Sequence, residues 1–475
     1  MQTDRIRQHF PSITKAKRIC TNNAATTQIP QELLDLASEL YLQYDNVHRG
    51  QSTASNWTTE RFEEAYKRIA FFVGARNWRN VLLYRGTTEA INAIMYSLMT
   101  EFKNGDNVVT TYMEHNSNYV PWYALSHEIA PKFGINIECR LVEFDKESGE
   151  LNLEDLEKKV DRRTKIICCT GASNFLGTKP PIDKIVNVGK QSGYLHPNGL
   201  CGSYVLVDGA QLVPHAPVDV EKMDVDFLAW SFHKMLAPVA VGGLYVRDQI
   251  LETLRPFQYG GDMIAEGKVA PERVEYNELP WRFTAGTPNI IGTILAGEAT
   301  RLIADLVLGD SYANPSDTEH TRKAMESIQE YERSLTQYLI DELASIQGVT
   351  VYGPKDASRR TSVVAFNIAG QNPMDVARQL DKKKIESRAG CHCATLAHHY
   401  LGIKPPASCR ISPYFYNTME EMEYVVAAVK KICSEPRLTR SQALEDAYKR
   451  VKAWTIHMRR KQTEKAMNPT QDASY

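Results

Sequence analysis

The sequence predicts an α/β fold with a mainly parallel central sheet and a smaller α+β domain towards the C-terminus. Strand-sized apolar runs alternate with helical patterns through the first ~300 residues, as expected for parallel strands joined by crossover helices. Residues 319–433 instead mix helical and strand patterns. Several of the early strands end in polar or glycine residues, which is where open α/β sheets place their ligands.

Composition and charge exclude several classes of partner. The formal net charge is −1, so nothing draws the chain to nucleic acid or to an anionic membrane. No apolar run approaches the ~20 residues that span a bilayer. The first ten residues, MQTDRIRQHF, lack an apolar signal core, so we expect a cytoplasmic protein whose nine cysteines are mostly reduced thiols.

The individual elements follow from periodicity. Apolar residues at helical spacing predict a helix over residues 58–73 that ends at Gly74. Val81–Tyr84 is predicted to be a buried strand, and the following GTTEAINAIMYSL a helix. Another long helix begins near Asn289, and HPNGLCG at residues 196–202 resembles a loop insertion. Further strands are predicted at residues 108–109, 166–169, 204–207, 227–230 and 244–246.

Four segments are predicted along the chain. Residues 1–25 pack on the small domain, 26–300 form the large domain, 301–435 the small domain, and 436–475 a basic tail. The tail has one apolar stripe at helical spacing, which predicts a docked amphipathic helix, although such helices also contact partners or membrane surfaces. The stripe consists of Leu444, Ala447, Val451, Trp454 and Met458.

Two charged residues at strand ends point to a specific cofactor chemistry. Asp208 closes one apolar strand, and Lys234 follows another 26 residues later. A lysine at the end of a buried segment is costly unless it is paired or covalently modified, and imine formation with a cofactor aldehyde would explain it. Pyridoxal phosphate needs a carboxylate to keep its ring nitrogen protonated, and Asp208 supplies one. Alternatively, Lys234 reaches solvent and Asp208 caps a turn.

Neighbouring residues suit the rest of such a cofactor. Gln211 is placed to bond the ring phenolate, and Ser231 and His233 flank the lysine as phosphate donors. Thr87 and Thr88 follow Gly86 at a strand-to-helix junction, where free N–H groups and the helix dipole favour an anion. The alternative for these threonines is an ordinary helix cap.

His115 and Asn174 each follow a predicted strand. The imidazole of His115 could stack on a pyridine ring and move protons. Asn174 could bond the cofactor phenolate or a substrate carboxylate. A structural histidine and a turn asparagine before Gly177 remain the alternatives.

A cysteine-containing loop provides the candidate nucleophile. Cys393 lies in ESRAGCHCATLAHH near Arg388, and cationic neighbours raise the thiolate fraction of a cysteine. Arg410 could clamp a substrate carboxylate with its planar fork. One alternative is an inert buried cysteine. Another is a zinc site, although the C-x-C spacing is not typical of zinc ligands. Its ligands would come from Cys391, His392, Cys393, His398 and His399.

In combination these motifs resemble a known family. RGTTEAIN, MEH-x-SN-x-VPW, DGAQ-x-VPH-x-PVDV, S-x-HK, F-x-AGTPN and R-x-G-x-HCA occur in the order found in the class V aminotransferase superfamily of fold-type I pyridoxal-phosphate enzymes. Within it the chain is similar to the group II cysteine desulfurases and selenocysteine lyases. The resemblance runs from about Asn22 to Asn417.

The resemblance implies roles for single residues. Lys234 would carry the cofactor, Asp208 would pair with its ring nitrogen, and His115 would stack on the ring. Cys393 would become a persulfide. Thr287 would reach the phosphate of a neighbouring subunit, because such enzymes are dimers with shared sites. Phosphate contacts would come from Thr87, Thr88, Ser231 and His233, ring-oxygen contacts from Asn174 and Gln211, and substrate contacts from Asn23, Arg388 and Arg410.

The chain departs from the family pattern at several positions. Asn22 stands where an aspartate is usual, Ser52 replaces a loop histidine, and Thr284 replaces a glutamate. The usual Gly-His-His-Cys is Gly-Cys-His-Cys, with Cys391 added before Cys393. Cys391 either fills the space of a histidine, or accepts sulfur from Cys393, or expels it as sulfide by closing a disulfide.

Three functions therefore remain open from the sequence. The favoured one is a cysteine desulfurase that converts L-cysteine to L-alanine and passes sulfur to Cys393, and then to an acceptor, for which another protein is a candidate. A second is another class V reaction: C–S or selenocysteine lysis, transamination or epimerisation. A third is an inactive sulfur-transfer or assembly partner, which the intact Lys234 and Asp208 argue against.

Overall fold

The computed structural model describes residues 1–309 and 318–434. The helices in these ranges are α1 Thr3–Gln8, α2 Pro11–Thr14, α3 Gln31–Gln43, α4 Thr53–Phe72, α5 Thr87–Leu98, α6 Val120–Ala124, α7 Leu153–Lys159, α8 Ile182–Gln191, α9 Val220–Met223, α10 Asp248–Leu251, α11 Ile290–Leu308, α12 Thr318–Ala344, α13 Pro373–Lys382, α14 Thr395–Tyr400 and α15 Met419–Ser434. The strands are β1 Ile19–Cys20, β2 Val81–Tyr84, β3 Asn107–Thr111, β4 Glu138–Val142, β5 Thr164–Thr170, β6 Tyr204–Asp208, β7 Phe227–Ser231, β8 Gly242–Val246, β9 Ile264–Ala270, β10 Arg273–Tyr276, β11 Val349–Val351, β12 Val364–Ile368, β13 Ile385–Glu386, β14 Arg388–Gly390 and β15 Ser408–Ile411.

A seven-stranded sheet forms the centre of the molecule, in the order β2-β8-β7-β6-β5-β3-β4. Strand β8 runs antiparallel to both of its neighbours, and the other pairings are parallel. Strands β5, β6 and β7 are buried along their whole lengths, which explains why their sequences are continuous apolar runs rather than alternating ones. The predicted α/β fold with a mainly parallel sheet is confirmed.

A second sheet, β11-β12-β15-β14, is antiparallel and comes from residues 349–411. The N-terminal strand β1 pairs in parallel with β13, and Asn22 forms a bridge with Ser412. The N-terminal segment is therefore held against the residues around this second sheet. Residues 1–429 form one compact unit, and a second unit begins at Lys430.

Some predicted boundaries differ from the observed ones. Helix α4 begins at Thr53 rather than at residue 58, because the Ser52 hydroxyl accepts a hydrogen bond from the Ser55 N–H at 3.0 Å and starts the helix before its apolar periodicity. HPNGLCG forms a loop closed by a bridge between Leu195 and Cys201. The domain boundaries remain predictions, and the basic tail lies outside the described residues. Within the described ranges, no helix is both long and apolar enough to span a membrane.

Candidate active site

Parallel strands bring the predicted site residues together at one edge of the central sheet. Strand β8 is antiparallel to both β2 and β7, so β2 and β7 run in the same direction. The carboxyl ends of β2, β3, β5, β6 and β7 therefore lie at the same edge of the sheet. The segments that follow these strands surround a cavity of about 200 Å³. Its lining includes Thr87, Thr88, His115, Asn174, Asp208, Gln211, Ser231, His233, Lys234, Arg388 and Arg410.

Charge in the cavity is unbalanced. Three cations, Lys234, Arg388 and Arg410, face one carboxylate, Asp208, among its lining residues. Burial lowers the pKa of Lys234 to about 8; Asp208 opposes this shift, and Arg410 and Arg388 reinforce it. Burial raises the pKa of Asp208, against a hydrogen bond from the Ala210 N–H at 3.0 Å. Such a cavity favours an anionic ligand that also brings a cation to Asp208.

The imidazole of His115 is held as one tautomer. Its Nδ1 accepts a hydrogen bond from the Ser117 N–H at 3.1 Å, so the proton of the neutral ring lies on Nε2. Burial lowers the pKa of His115 to about 3, and the charges of Lys234, Arg388 and Arg410 act in the same direction. His115 is therefore a neutral hydrogen-bond donor through Nε2 near neutral pH.

Hydroxyl groups gather where β2 gives way to α5. The Ser231 hydroxyl accepts from the Thr87 N–H at 2.8 Å and lies 2.7 Å from the Thr87 hydroxyl. The hydroxyl of Thr88 lies 2.6 Å from that of Ser117. These groups stand at the N-terminus of a 12-residue helix, whose dipole favours negative charge there.

Arginine and amide groups form another part of the cavity lining. Arg410 is 1% exposed, and its Nη1 donates to the Asn174 carbonyl at 2.8 Å. Within residues 1–309 and 318–434, neither Arg410 nor Arg388 forms an ion pair with a carboxylate. Burial lowers the pKa of Arg410 to about 9, with Arg388 adding to the shift. A buried guanidinium without a carboxylate partner is suited to binding a ligand carboxylate.

The cysteine loop approaches the cavity from the second sheet. The Cys393 sulfur lies 4.0 Å from Nη2 of Arg388. Its carbonyl accepts from the Asn116 N–H at 2.7 Å, and the His392 carbonyl accepts from Nδ2 of Asn174 at 2.5 Å. Both His392 and Cys393 have positive φ, +53° and +56°, a backbone region that non-glycine residues rarely adopt.

Three predicted residues do not belong to the cavity lining. Cys393 borders the cavity through Arg388. Asn23 is 1% exposed, and its amide donates to the Cys20 and Ser412 carbonyls, so it fixes the N-terminal segment. Thr287 is exposed and lines a separate recess.

Other residues at the site were missed from the sequence. Ser117 sets the tautomer of His115, and it could have been noticed because it stands two residues later, where a histidine side chain can cap the turn. Glu114 accepts from the Thr170 N–H at 2.9 Å and from the Asn118 amide at 2.6 Å, which ties the end of β3 to β5. Burial raises the pKa of Glu114 to about 8. Nothing local in the sequence distinguishes it from a surface glutamate.

Comparison with known proteins agrees with this geometry. The profile of the aminotransferase class-V family matches residues 19–425. A cysteine desulfurase of Escherichia coli O127:H6 is 35% identical over 435 residues, covering 90% of this chain and 98% of that protein. One from Shigella sonnei has the same identity and coverage. The chain belongs to the class V aminotransferases.

Solved structures of this class share the fold. The apo structure of a cysteine desulfurase from Thermococcus onnurineus NA1 has a TM-score of 0.78 and 30% identity, covering 90% of this chain and 98% of that one. A cysteine desulfurase from Escherichia coli has a TM-score of 0.77 and 26% identity, covering 91% and 98%. The family and fold predicted from the motifs are confirmed.

Class V aminotransferases use pyridoxal phosphate, and the cavity residues fit this cofactor. Oε1 of Gln211 and Oδ1 of Asn174 are buried and lack a hydrogen-bond partner within the described part of the chain. Because a 180° rotation of either amide exchanges its oxygen and nitrogen, each side chain can also donate to a ligand acceptor such as the ring oxygen of the cofactor. A phosphate matches the hydroxyl groups at α5, and a protonated ring nitrogen matches Asp208. In contrast, no cluster of three or more potential metal ligands is found in the described ranges.

Proposed function

We propose that this chain is a pyridoxal-phosphate-dependent cysteine desulfurase that converts L-cysteine to L-alanine and passes the sulfur to Cys393. The observation that carries the proposal is the position of Cys393, whose sulfur lies 4.0 Å from the Arg388 guanidinium at the edge of the cavity that contains Lys234. The thiol is only partly buried, so it remains accessible to a substrate.

The cofactor would be held from three sides. Lys234 would carry it, Asp208 would pair with its ring nitrogen, and His115 would stack on its ring. Its phosphate would lie against Thr87, Thr88, Ser231 and His233, and its ring oxygen near Asn174 and Gln211. When bound, pyridoxal phosphate supplies an aldehyde for the substrate amine and an electron sink.

Protein side chains would bind the substrate carboxylate and transfer protons. Arg410, whose Nε is buried and unpartnered within the described residues, would bind the substrate carboxylate. The lowered pKa of Lys234, about 8 because of burial, gives its amine a substantial neutral fraction that can accept the substrate α-proton. His115 Nε2–H offers a further donor next to it.

Cys393 completes the reaction. Its thiolate attacks the substrate sulfur, so that an S–S bond forms as the C–S bond breaks, and the carbon side takes protons to become alanine. The sum is L-cysteine plus protein thiol giving L-alanine plus protein persulfide, which balances without an external oxidant. Regeneration of the thiol needs a sulfur acceptor, for which a second protein is the expected partner. We further propose that the enzyme is a homodimer and acts in the cytoplasm.

Incubation with L-cysteine tests the proposal directly. Under anaerobic conditions without reductant, wild-type protein should release at least about one alanine per subunit, and peptide mass mapping after the first turnover should find one extra sulfur on Cys393. Cys393→Ser should release no alanine. The exposed thiol variant Cys201→Ser serves as the control and should behave as wild type. Pyruvate with free sulfide, or alanine formation unaffected by Cys393→Ser, would show a different class V reaction and overturn the proposal.

A further inference from the structure

The loop that contains Cys393 holds a second thiol in the same turn. The Ala394 N–H donates to the Cys391 carbonyl at 2.8 Å, so Cys391 and Ala394 close a turn whose central residues are His392 and Cys393. Both central residues have positive φ, as in a type I′ turn. Non-glycine residues rarely adopt this conformation, and it persists only where the surroundings impose it.

Hydrogen bonds to the turn provide that support. Asn116 and Asn174 bind the carbonyls of Cys393 and His392, respectively. Behind the loop, Nε2 of His392 lies 3.1 Å from the Ser408 hydroxyl. These contacts hold the backbone of the turn from both sides, so the Cα atoms of the two cysteines stay at a fixed separation.

The environment of Cys391 favours a thiolate. Although burial raises the pKa of its thiol, hydrogen bonds from the Thr395 hydroxyl and from the N–H of Cys393, together with the charge of Arg388, lower it overall. The three groups converge on a half-buried sulfur. A thiol with this set of donors is a nucleophile rather than an inert core cysteine.

The turn also places the two sulfur atoms near each other. Cys391 and Cys393 are the first and third residues of the four-residue turn, so their Cα atoms lie at most about 7 Å apart. Each Sγ lies about 3 Å from its own Cα, and a persulfide on Cys393 extends its reach by about 2 Å. Side-chain rotation covers most of the remaining distance.

We propose that Cys391 is a second sulfur-carrying residue, which takes the outer sulfur atom of the Cys393 persulfide and presents it to the acceptor. The proposal rests on the proposed desulfurase function. The Cys391 thiolate attacks the outer sulfur, a new S–S bond forms at Cys391, the old S–S bond breaks, and Cys393 leaves as a thiolate. One S–S bond replaces another and one thiolate replaces another, so the total charge is unchanged and no oxidant or reductant takes part.

This transfer frees Cys393, the thiol that borders the cavity through Arg388. With its thiolate restored, Cys393 can accept sulfur from a second substrate molecule while the first sulfur waits on Cys391. The protein would therefore store up to two sulfur atoms per subunit, one on each thiol, before an acceptor is added.

Time-resolved mapping of the holoenzyme tests the relay. Wild-type protein is mixed anaerobically with L-cysteine, alkylated at intervals and digested, and fragment ions that break the chain between residues 391 and 393 assign the extra sulfur. We expect it first on Cys393 and then on Cys391. In Cys391→Ser the sulfur should remain on Cys393, and sulfide release to dithiothreitol should slow about tenfold.

Two further variants complete the design. Cys391→His also removes the thiol and should keep the sulfur on Cys393, which guards against a folding defect specific to serine. Cys201→Ser is the thiol control and should match wild type. Extra sulfur confined to Cys393 in wild type, or a disulfide between Cys391 and Cys393 with expelled sulfide, would overturn the relay but leave the desulfurase function intact. Absence of alanine from wild type would overturn both.

Discussion

At the scale of single residues, the amine of Lys234 is a buried cation with two further cations close to it. Lys234 follows β7 and lines the cavity, where two arginines and one carboxylate act on its amine. A charged lysine in this position destabilises the folded protein, because a single buried carboxylate only partly offsets the free-energy cost of burying its amine. Covalent use of the amine explains why it is there.

Replacement of this lysine gives the first prediction. Lys234→Ala should lower turnover of L-cysteine by at least about 10³-fold, because both the attachment point and the proton acceptor are lost. Borohydride reduction followed by peptide mapping should find the cofactor on Lys234 in wild type and no attached cofactor in the variant. Lys222→Ala, at an exposed surface lysine, is the control. Wild-type turnover by Lys234→Ala would show that the lysine is misassigned.

The sequence predicted which residues gather at the cavity better than it predicted their partners. Asp208, Lys234 and His115 were identifiable because each follows an apolar strand in a short local pattern. In contrast, the side-chain amide of Gln211 donates to the Ala24 carbonyl at 2.7 Å, a contact between residues 187 positions apart. The Asn23 amide likewise donates to the Ser412 carbonyl, next to the end of β15, rather than lining the cavity. Such long-range hydrogen bonds leave no trace in local sequence.

At the scale of secondary-structure elements, the first residue of β8 determines how closely the start of α5 approaches β7 beside the hydroxyl groups of the cavity. Gly242 lies opposite both Tyr84 of β2 and Ser231 of β7 in the sheet register. A Cβ atom at this position would lie 2.4 Å from the Cα of Gly86 and 2.7 Å from the Trp230 carbonyl. The turn before α5 reaches Ser231 only because β8 has no side chain at this point.

The second prediction tests this packing. Gly242→Ala should push the Gly86 turn away from Ser231, weaken cofactor binding at least about tenfold, and lower the free energy of unfolding by about 1–3 kcal/mol. Cofactor titration of the apoprotein and urea denaturation measure the two effects. Gly261→Ala is the matched control, because a Cβ there meets no atom within 4 Å. Unchanged cofactor affinity in Gly242→Ala would contradict the packing argument.

Buried strands could be predicted from their apolar residues, whereas exposed strands could not. The strand Val81–Tyr84 was predicted with its observed bounds, whereas β5 extends from Thr164 to Thr170, beyond the apolar residues 166–169, because polar end residues still pair with neighbours. The hairpin of β9 and β10 was missed. Its strands are largely exposed, β9 shows no regular alternation of apolar and polar residues, and the alternation in β10 spans only its four residues.

At the scale of the whole molecule, buried histidines make folding sensitive to acid. Burial lowers the pKa of His196 to about 3 and that of His392 to about 2, from 6.5 in each case, with nearby cationic side chains adding to both shifts. Since the unfolded chain binds these protons below pH 6.5 and the folded protein does not, stability is kept above pH 6.5 and falls as the pH drops below it. At pH 5 each of the two histidines lowers the free energy of unfolding by about 2 kcal/mol relative to its value above pH 6.5.

The third prediction isolates one of these rings. His196 is 2% exposed, stacks on Tyr204, and its Nε2 donates to the Gly202 carbonyl at 2.8 Å. His196→Gln keeps a donor but cannot titrate, so the slope of unfolding free energy against pH between 6.5 and 4 should fall by about 1.4 kcal/mol per pH unit. Urea denaturation at several pH values measures it. His127→Gln, at an exposed ring, should keep the wild-type slope, and an equal slope in His196→Gln would refute the assignment.

The proposed homodimer concerns the molecule as an assembly, and Thr287 is the residue that reports on it. Thr287 is exposed and borders a recess with Tyr84, Arg85 and Glu89, rather than lining the cavity of its own subunit. A threonine that binds the cofactor phosphate of a partner subunit would occupy such an exposed position. Loss of one hydrogen bond to a charged group costs about 1.5–3 kcal/mol, so Thr287→Ala should weaken cofactor affinity about tenfold or more.

Mixed dimers decide whether Thr287 acts on its own subunit or on the partner, and they give the fourth prediction. Co-expressed Lys234→Ala and Thr287→Ala chains, carrying different affinity tags, yield a heterodimer with one site that keeps both Lys234 and the threonine reaching it from across the interface. We expect this heterodimer to recover about half of the wild-type activity at limiting cofactor, since one of two sites is intact. If Thr287 served its own subunit, every site in the heterodimer would carry a defect and activity would stay at the level of the variants. A monomer with full activity in sedimentation would refute the shared site outright.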